Sequence, residues 1–230
     1  MGEVTKDLNP QGNDGGPQSR MEGLLAVAPE ARSSEWVETF CRELVGSRVH
    51  LVSDRARYGP DGFPYLMVRT GGTEPMGRLL PWLAKKGIGL VVNPEKGTPD
   101  MLFTYGMVWH FIEFGFFFRY HEVNKAPSAP SPLEGMQSIR CGQPSESYLP
   151  SGVRLILKQF LADQGILSPR IVMVSWDQGQ SYDLTFSAES VGALPGVAQQ
   201  ELLEALAWFL PPHYGVAILS ERGMPSFFAL

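Results

Sequence analysis

Apolar residues along this chain recur in two periods, and the switches between them mark out its elements. Trp36, Val37, Phe40, Leu44 and Val45 fall one, three or four residues apart, which gathers them on one face of a helix. Ser34 is suited to cap that helix and Gly46 to end it. Arg48 to Val52 alternates as a strand, Tyr58 to Gly62 has the composition of a turn, and Phe63 to Val68 reads as a second strand, so a hairpin is predicted. Met76 to Lys86 has helical spacing through Leu79, Leu80, Trp82 and Leu83. Pro81 fits a first turn best, so the helix proper is expected to begin there. Gly87 to Val92 is short and wholly apolar, the pattern of a strand buried on both faces. Asp100 is suited to cap a further helix running through Ile112 to Gly115, with Phe116 to Glu122 following as a strand. Nearly every position in this stretch is apolar, so period alone does not separate helix from strand there.

A second series follows. Ser147 or Ser151 opens a helix through Gln164 that carries Val153, Ile156, Leu157, Phe160 and Leu161 on one face. Arg170 to Trp176 and Tyr182 to Phe186 read as strands joined by a turn at Asp177 to Gln180. In the second of these, Asp183 and Thr185 alternate with the apolar residues as though one face were wet. Val197 to Phe209 is an amphipathic helix stopped by Pro211 and Pro212, and Tyr214 to Leu219 is a last strand. Both halves therefore read helix, strand, strand, helix, strand. The expected class is α+β, with two small mixed sheet-and-helix halves, each a hairpin and a third strand covered by two helices. Residues 1–32 are expected to form a disordered tail, 33–123 a first domain, 124–137 (NKAPSAPSPLEGMQ) a proline-stiffened linker, and 138–230 a second domain.

Composition narrows the partners. The 230 residues are 43% hydrophobic, enough for a sizeable core, and the net charge is −5. Arg55 with Arg57 and Lys85 with Lys86 are isolated basic pairs, so neither nucleic acid nor an anionic membrane is an expected partner. No apolar run reaches the roughly 18–20 residues of a membrane-spanning helix. Cys41 and Cys141 are far apart and read as free thiols in a reducing compartment, which makes the cytoplasm the expected location.

Candidate chemistry is sparse. The phosphate-binding patterns GxGxxG and GxxxxGK[ST] are absent, as is the nucleophile pattern GxSxG. His110 and Glu113 stand one helical turn apart, and His121 could join them as a third metal ligand, but the spacing is not that of a zinc site. A core or surface histidine beside Trp109 is the plainer reading. Cys41 lies on an apolar helix face, where a thiol is buried and inert. Glu35, Glu38 and Glu43, and Glu201 with Glu204, read as solvated helix faces. No catalytic residue, metal ligand or cofactor is assigned. The surplus lies in aromatic residues: Phe103, Tyr105, Trp109, Phe111, Phe114, Phe116, Phe117, Phe118 and Tyr120 crowd one stretch. A small sheet cannot hide that many rings, so Phe116 and Phe118 are candidates for a protein-contact patch, and Phe227 and Phe228 raise the same question. The rival is a pocket between the halves that uses His110, Glu113 and Arg119.

Gly87-Ile-Gly-Leu-Val-Val-Asn-Pro94 resembles the strand and turn near the end of the first domain of the SseB family, named for enhanced serine sensitivity. Cys141-Gly-Gln-Pro144, followed by Tyr148-Leu-Pro150 and a helix, resembles the opening of that family's second domain, and the layout of residues 197–219 fits its close. Together these cover most of residues 35–220. The resemblance implies a bacterial cytoplasmic protein with the N-terminal and C-terminal domains in order, and it carries over no catalytic residues. The expected function is non-catalytic: an accessory or regulatory factor acting through protein–protein contacts. The alternatives are an enzyme or small-ligand binder with the pocket above, and an immunity or chaperone-like protein that blocks one partner.

Overall fold

A computed structural model describes residues 17–118, 139–176, 179, 181–192 and 195–230. The expected linker 124–137, Arg119 and His121 lie outside the described residues, as does most of the turn at 177–180. The fold is α+β. The first half contains α1 (Pro17–Leu25), α2 (Ser34–Gly46), β1 (Arg48–Leu51), β2 (Arg57–Tyr58), β3 (Pro64–Thr70), β4 (Glu74–Pro75), α3 (Met76–Lys86), β5 (Gly89–Val92), β6 (Met101–Phe103) and α4 (Tyr105–Phe114). The second contains β7 (Arg140–Gly142), α5 (Ser151–Asp163), β8 (Arg170–Ser175), β9 (Asp183–Ser187), α6 (Ala188–Val191), α7 (Gly196–Trp208), β10 (Gly215–Leu219) and β11 (Phe228–Ala229).

Each half builds a mixed sheet. The first runs β4-β1-β3-β5-β6, with β2 also on β3; the second runs β10-β9-β8-β11, with β7 also on β8. In the first, β1 and β3 are antiparallel and the chain crosses over through α3 to lay β5 parallel to β3. In the second, β8 and β9 are antiparallel and the chain crosses over through α7 to lay β10 parallel to β9. The same unit of helix, hairpin, helical crossover and parallel third strand therefore occurs twice.

Alternation along β3 distributes its side chains between two cores. Leu66 and Val68 join Phe40, Leu44, Leu80, Leu83, Leu90, Val92 and Phe103 in the first. Tyr65 points the other way. With Val91, Tyr105 and Trp109 it enters a core that also holds Leu157, Ile171, Leu184, Phe186, Leu206 and Trp208 from the second half. The halves are bonded there as well as packed. Trp208 Nε1 donates to Tyr65 Oη at 2.6 Å, Tyr65 Oη donates to Asp61 Oδ2 at 2.6 Å, and Trp109 Nε1 donates to the Phe209 carbonyl at 2.8 Å. Phe63 stacks on Trp208 with centroids 4.3 Å apart. Tyr65→Phe is expected to cost roughly 1–3 kcal/mol, because it strands the buried Trp208 N–H. Urea denaturation measures this, and an unchanged midpoint would show that the relay contributes nothing.

Several sequence expectations are corrected. Residues 17–31 are not tail: α1 packs on α2, Met21 is fully buried, and Leu24, Leu25 and Val27 lie against the same core. The apolar run Leu24 to Val27 supplies the burial that the polar start lacks. Ser33, not Ser34, caps α2, its side chain accepting from the Trp36 amide. Helix α3 begins at Met76 rather than Pro81. A proline there removes one intrahelical hydrogen bond, and burial of Met76 and Leu80 on either side of the first turn offsets the loss. Asp100 caps no helix, since 101–103 is a strand and Thr104 caps α4. Residues 116–118 form no strand. Strand β9 has no wet face, because Leu184, Thr185, Phe186 and Ser187 are all buried.

Asp100 instead ties a knot beside the C-terminal ends of β3 and β5. Its carboxylate accepts from Arg32 Nη2 at 2.6 Å, Asn93 Nδ2 at 2.7 Å and Lys96 Nζ at 2.7 Å. Arg32 also donates to the Val27 carbonyl and lies over the Trp36 ring, so the knot fastens the loop after α1 to the loop after β5.

Candidate functional site

Helix α4 carries the surface of greatest interest. Thr104 starts it by accepting from the Met107 amide, and Gly115, at φ 81°, ends it in the left-handed conformation that glycine adopts at no steric cost. The helix sits between the two cores, with Val108 in the first and Tyr105 and Trp109 in the second. Apolar residues nevertheless reach solvent near its end, where Ile112 is 40% and Phe114 43% exposed, the first facing α3 and α5 and the second beside the His110 ring. A helix apolar on every side signals that it has more greasy surface than one core can take. That signal was present in the sequence, but it pointed to the residues after the helix rather than to these two.

The turn at Gly115 folds the following aromatics back. Phe117 is buried between Phe103 and Phe111, at centroid distances of 4.3 and 4.7 Å, while Phe116 and Phe118 are half-buried. Phe227 and Phe228 are also half-buried, and β11 pairs with the start of β8. His110 is only 3% exposed. Its ring lies 4.6 Å from Phe114, 4.8 Å from Phe116 and 4.9 Å from His213, and Nδ1 meets the Phe116 carbonyl at 2.9 Å. A carbonyl can only accept, so Nδ1 carries the proton.

Between the halves lies an open hollow of about 360 Å³. Tyr105, Trp109 and Ile112 of α4 meet Pro81 and Ala84 of α3 and Val153 of α5, with Lys85, Glu113 and Glu146 among the polar groups around them. Of the expected pocket residues, Glu113 lines this hollow and His110 does not; Arg119 is outside the described residues. Glu146 is already engaged at the N-terminus of α5, where it accepts from the Ser151 amide at 2.6 Å and its carboxyl is held below the ordinary range by that bond. Burial pushes the Tyr105 hydroxyl far up, so it stays neutral. The floor is thus apolar and uncharged, and only the rim is ionic.

A larger hollow, about 520 Å³, lies at the far end of the second sheet among Lys158, Ser168, Arg170, Glu189 and Ser190. Its charges are largely spoken for within the chain. Arg170 pairs with Glu221 at 2.6 Å, and Glu189 accepts from Ser220 Oγ at 2.6 Å and from the Glu221 amide at 3.0 Å, which holds its carboxyl below the ordinary range. Such internal pairing closes off a strand end rather than presenting free donors to a ligand.

Among the described residues, no group of three or more His, Cys, Asp or Glu is arranged to hold a metal ion, and no helix is long and apolar enough to cross a membrane. Both cysteines are free. The Cys41 thiol is pushed up to about 12, by burial first and then by Glu38, and Cys141 is also raised by burial. In the folded protein at pH 8, Cys41 is expected to react with a disulfide reagent at least ~10²-fold more slowly than a free cysteine, with Cys141 reacting first. Reaction of Cys41 at the free rate would mean that α2 opens readily. No protein-family model, no curated protein and no solved structure matches this chain.

Proposed function

We propose that this chain acts through contact with another protein, as a non-catalytic accessory or regulatory factor of the bacterial cytoplasm, and that α4 presents the contact. One observation carries this reading: Ile112 stands exposed in the wall of an apolar-floored hollow, and Phe114, further along the same helix, is exposed as well. Rings and branched side chains bury much area at small entropic cost, and the ionic rim of Lys85 and Glu113 would fix orientation. The resemblance to the SseB family agrees with a role without chemistry. The net charge of −5 suits a partner with a basic face, and it suits a blocking or chaperone-like role as well.

The test compares proteins captured by the immobilised chain and by an Ile112→Asp, Phe114→Asp variant, after both are shown to melt alike. At least one protein retained by the wild type should be lost from the variant. Identical retained sets would remove α4 as the contact. A second reading, a small ligand seated in the hollow, draws on Lys85 and Glu113 lining it together. It predicts a small molecule that raises the melting temperature of the wild type but not of Glu113→Leu.

A further inference from the structure

The strand edges of this fold are unequally protected. In the first sheet the terminal strands are β4, two residues with Pro75, and β6, three residues. In the second sheet the outer side of β8 is covered by β7 and β11. Among the described strands the remaining edge is β10, five residues long with the sequence Gly-Val-Ala-Ile-Leu. It contains no proline, no charge and no residue at positive φ, so the strand itself carries none of the residues that blunt an edge. Its whole length pairs in parallel with β9, from Gly215 opposite Asp183 to Leu219 opposite Ser187. In a parallel strand alternate residues turn N–H and C=O away from the neighbour, and no described strand accepts those of β10.

The first half contains the same edge with its slot filled. β5 is the counterpart of β10: both follow the crossover helix and both lie parallel to the second strand of the hairpin. On the far side of β5, β6 runs antiparallel, with Leu90 opposite Phe103, Val91 opposite Leu102 and Val92 opposite Met101. An antiparallel, apolar strand is therefore what this unit accepts at that position.

We propose that a second copy of this chain fills the slot, β10 pairing antiparallel with β10 about a two-fold axis at Ala217. In that register Val216 faces Ile218 of the other copy twice, Gly215 faces Leu219 twice, and Ala217 faces its own equivalent. The β-branched pair is among the favourable cross-strand pairs, no charged residue lies on either β10, and the space beside Gly215 is taken by the Asp183 carboxylate of the same copy. Val216 and Ile218 pack on the core shared by the two halves, so the shared cores of the two copies join side by side on one face of the extended sheet. The interface is isologous and closes at two copies. This proposal is independent of the α4 contact, which lies on another element.

Two measurements test it. Light scattering at the highest soluble concentration should give a mass twice the 25.4 kDa of one chain. Residues directly opposite in an antiparallel pair have Cα atoms about 4.5–5.5 Å apart, within reach of a disulfide. Ala217→Cys, oxidised with glutathione disulfide, should therefore crosslink two copies at a rate at least ~10-fold above Ser220→Cys, whose equivalents stand several strand positions apart. A single-chain mass at every concentration, or a partner of different sequence as the sole occupant, would overturn the proposal. So would a dimer that crosslinks equally well at 217 and 220.

Discussion

Gly106→Ala is expected to destabilise the protein by about 3 kcal/mol or more, which for a chain of this size lowers the melting temperature by roughly 6–12 °C. A β-carbon at this position would lie 2.0 Å from the Leu210 carbonyl oxygen and 2.1 Å from the carbonyl carbon. The obstacle is backbone on both sides, so no rotamer change relieves it. Helix α4 must retreat from residues 209–211, and the neighbouring bond from Trp109 to the Phe209 carbonyl must lengthen with it. Gly106→Val should be worse, because its branched side chain enlarges the overlap. Chemical denaturation of the purified variants decides the matter. If Gly106→Ala unfolds at the wild-type midpoint, α4 does not lie against the second half at this distance.

The second large effect concerns Asp100. Its side chain is 3% exposed and faces Arg32, itself 11% exposed, and Lys96. Burial alone would raise the carboxyl, but hydrogen bonds from Lys96, Asn93 and Arg32, together with the charge of Lys96, hold it below its ordinary 3.8. A group depressed in the folded state contributes its full stability above its unfolded value and loses it as pH falls through the folded one. The contribution is therefore intact at neutral pH and disappears below about pH 4. Asp100→Asn should cost roughly 3–5 kcal/mol at pH 7, since it leaves the guanidinium of Arg32 without its buried counter-charge. The gap between wild type and variant should narrow steadily below that point. A gap of constant size from pH 7 to acid would assign the loss to packing rather than to ionisation.

Where side chains alternate or recur at helical spacing, the sequence reading located the element. Helices α2, α5 and α7 and strands β1, β3, β5, β8 and β10 stand within two residues of where the pattern puts them at either end, or nearly so. The repeated order of helix, hairpin, helix and strand was legible for the same reason. The aromatic stretch was not, because an all-apolar run has no period, and a three-residue strand followed by a capped helix looks the same as one long helix. Asp100 was misread for a related cause: an aspartate before an apolar run is a good cap in isolation, and only the fold brings Arg32 to it from 68 residues away. The candidate site divides along the same line. Glu113 lines the junction hollow, whereas His110 faces a ring cluster, which residue spacing does not reveal.

The core shared by the two halves also sets an order of events during synthesis. Trp109 and Phe209 are 100 residues apart, and Trp208 and Tyr65 are 143. A nascent chain elongating at about 5–20 residues per second therefore carries Trp109 for roughly 5–20 s before its acceptor exists. During that interval Tyr65 and Val91 of the first sheet and Tyr105 of α4 lack the second-half residues they pack against. The first sheet is complete by Phe103, so a holding factor at the ribosome would meet a finished sheet with one apolar face still uncovered.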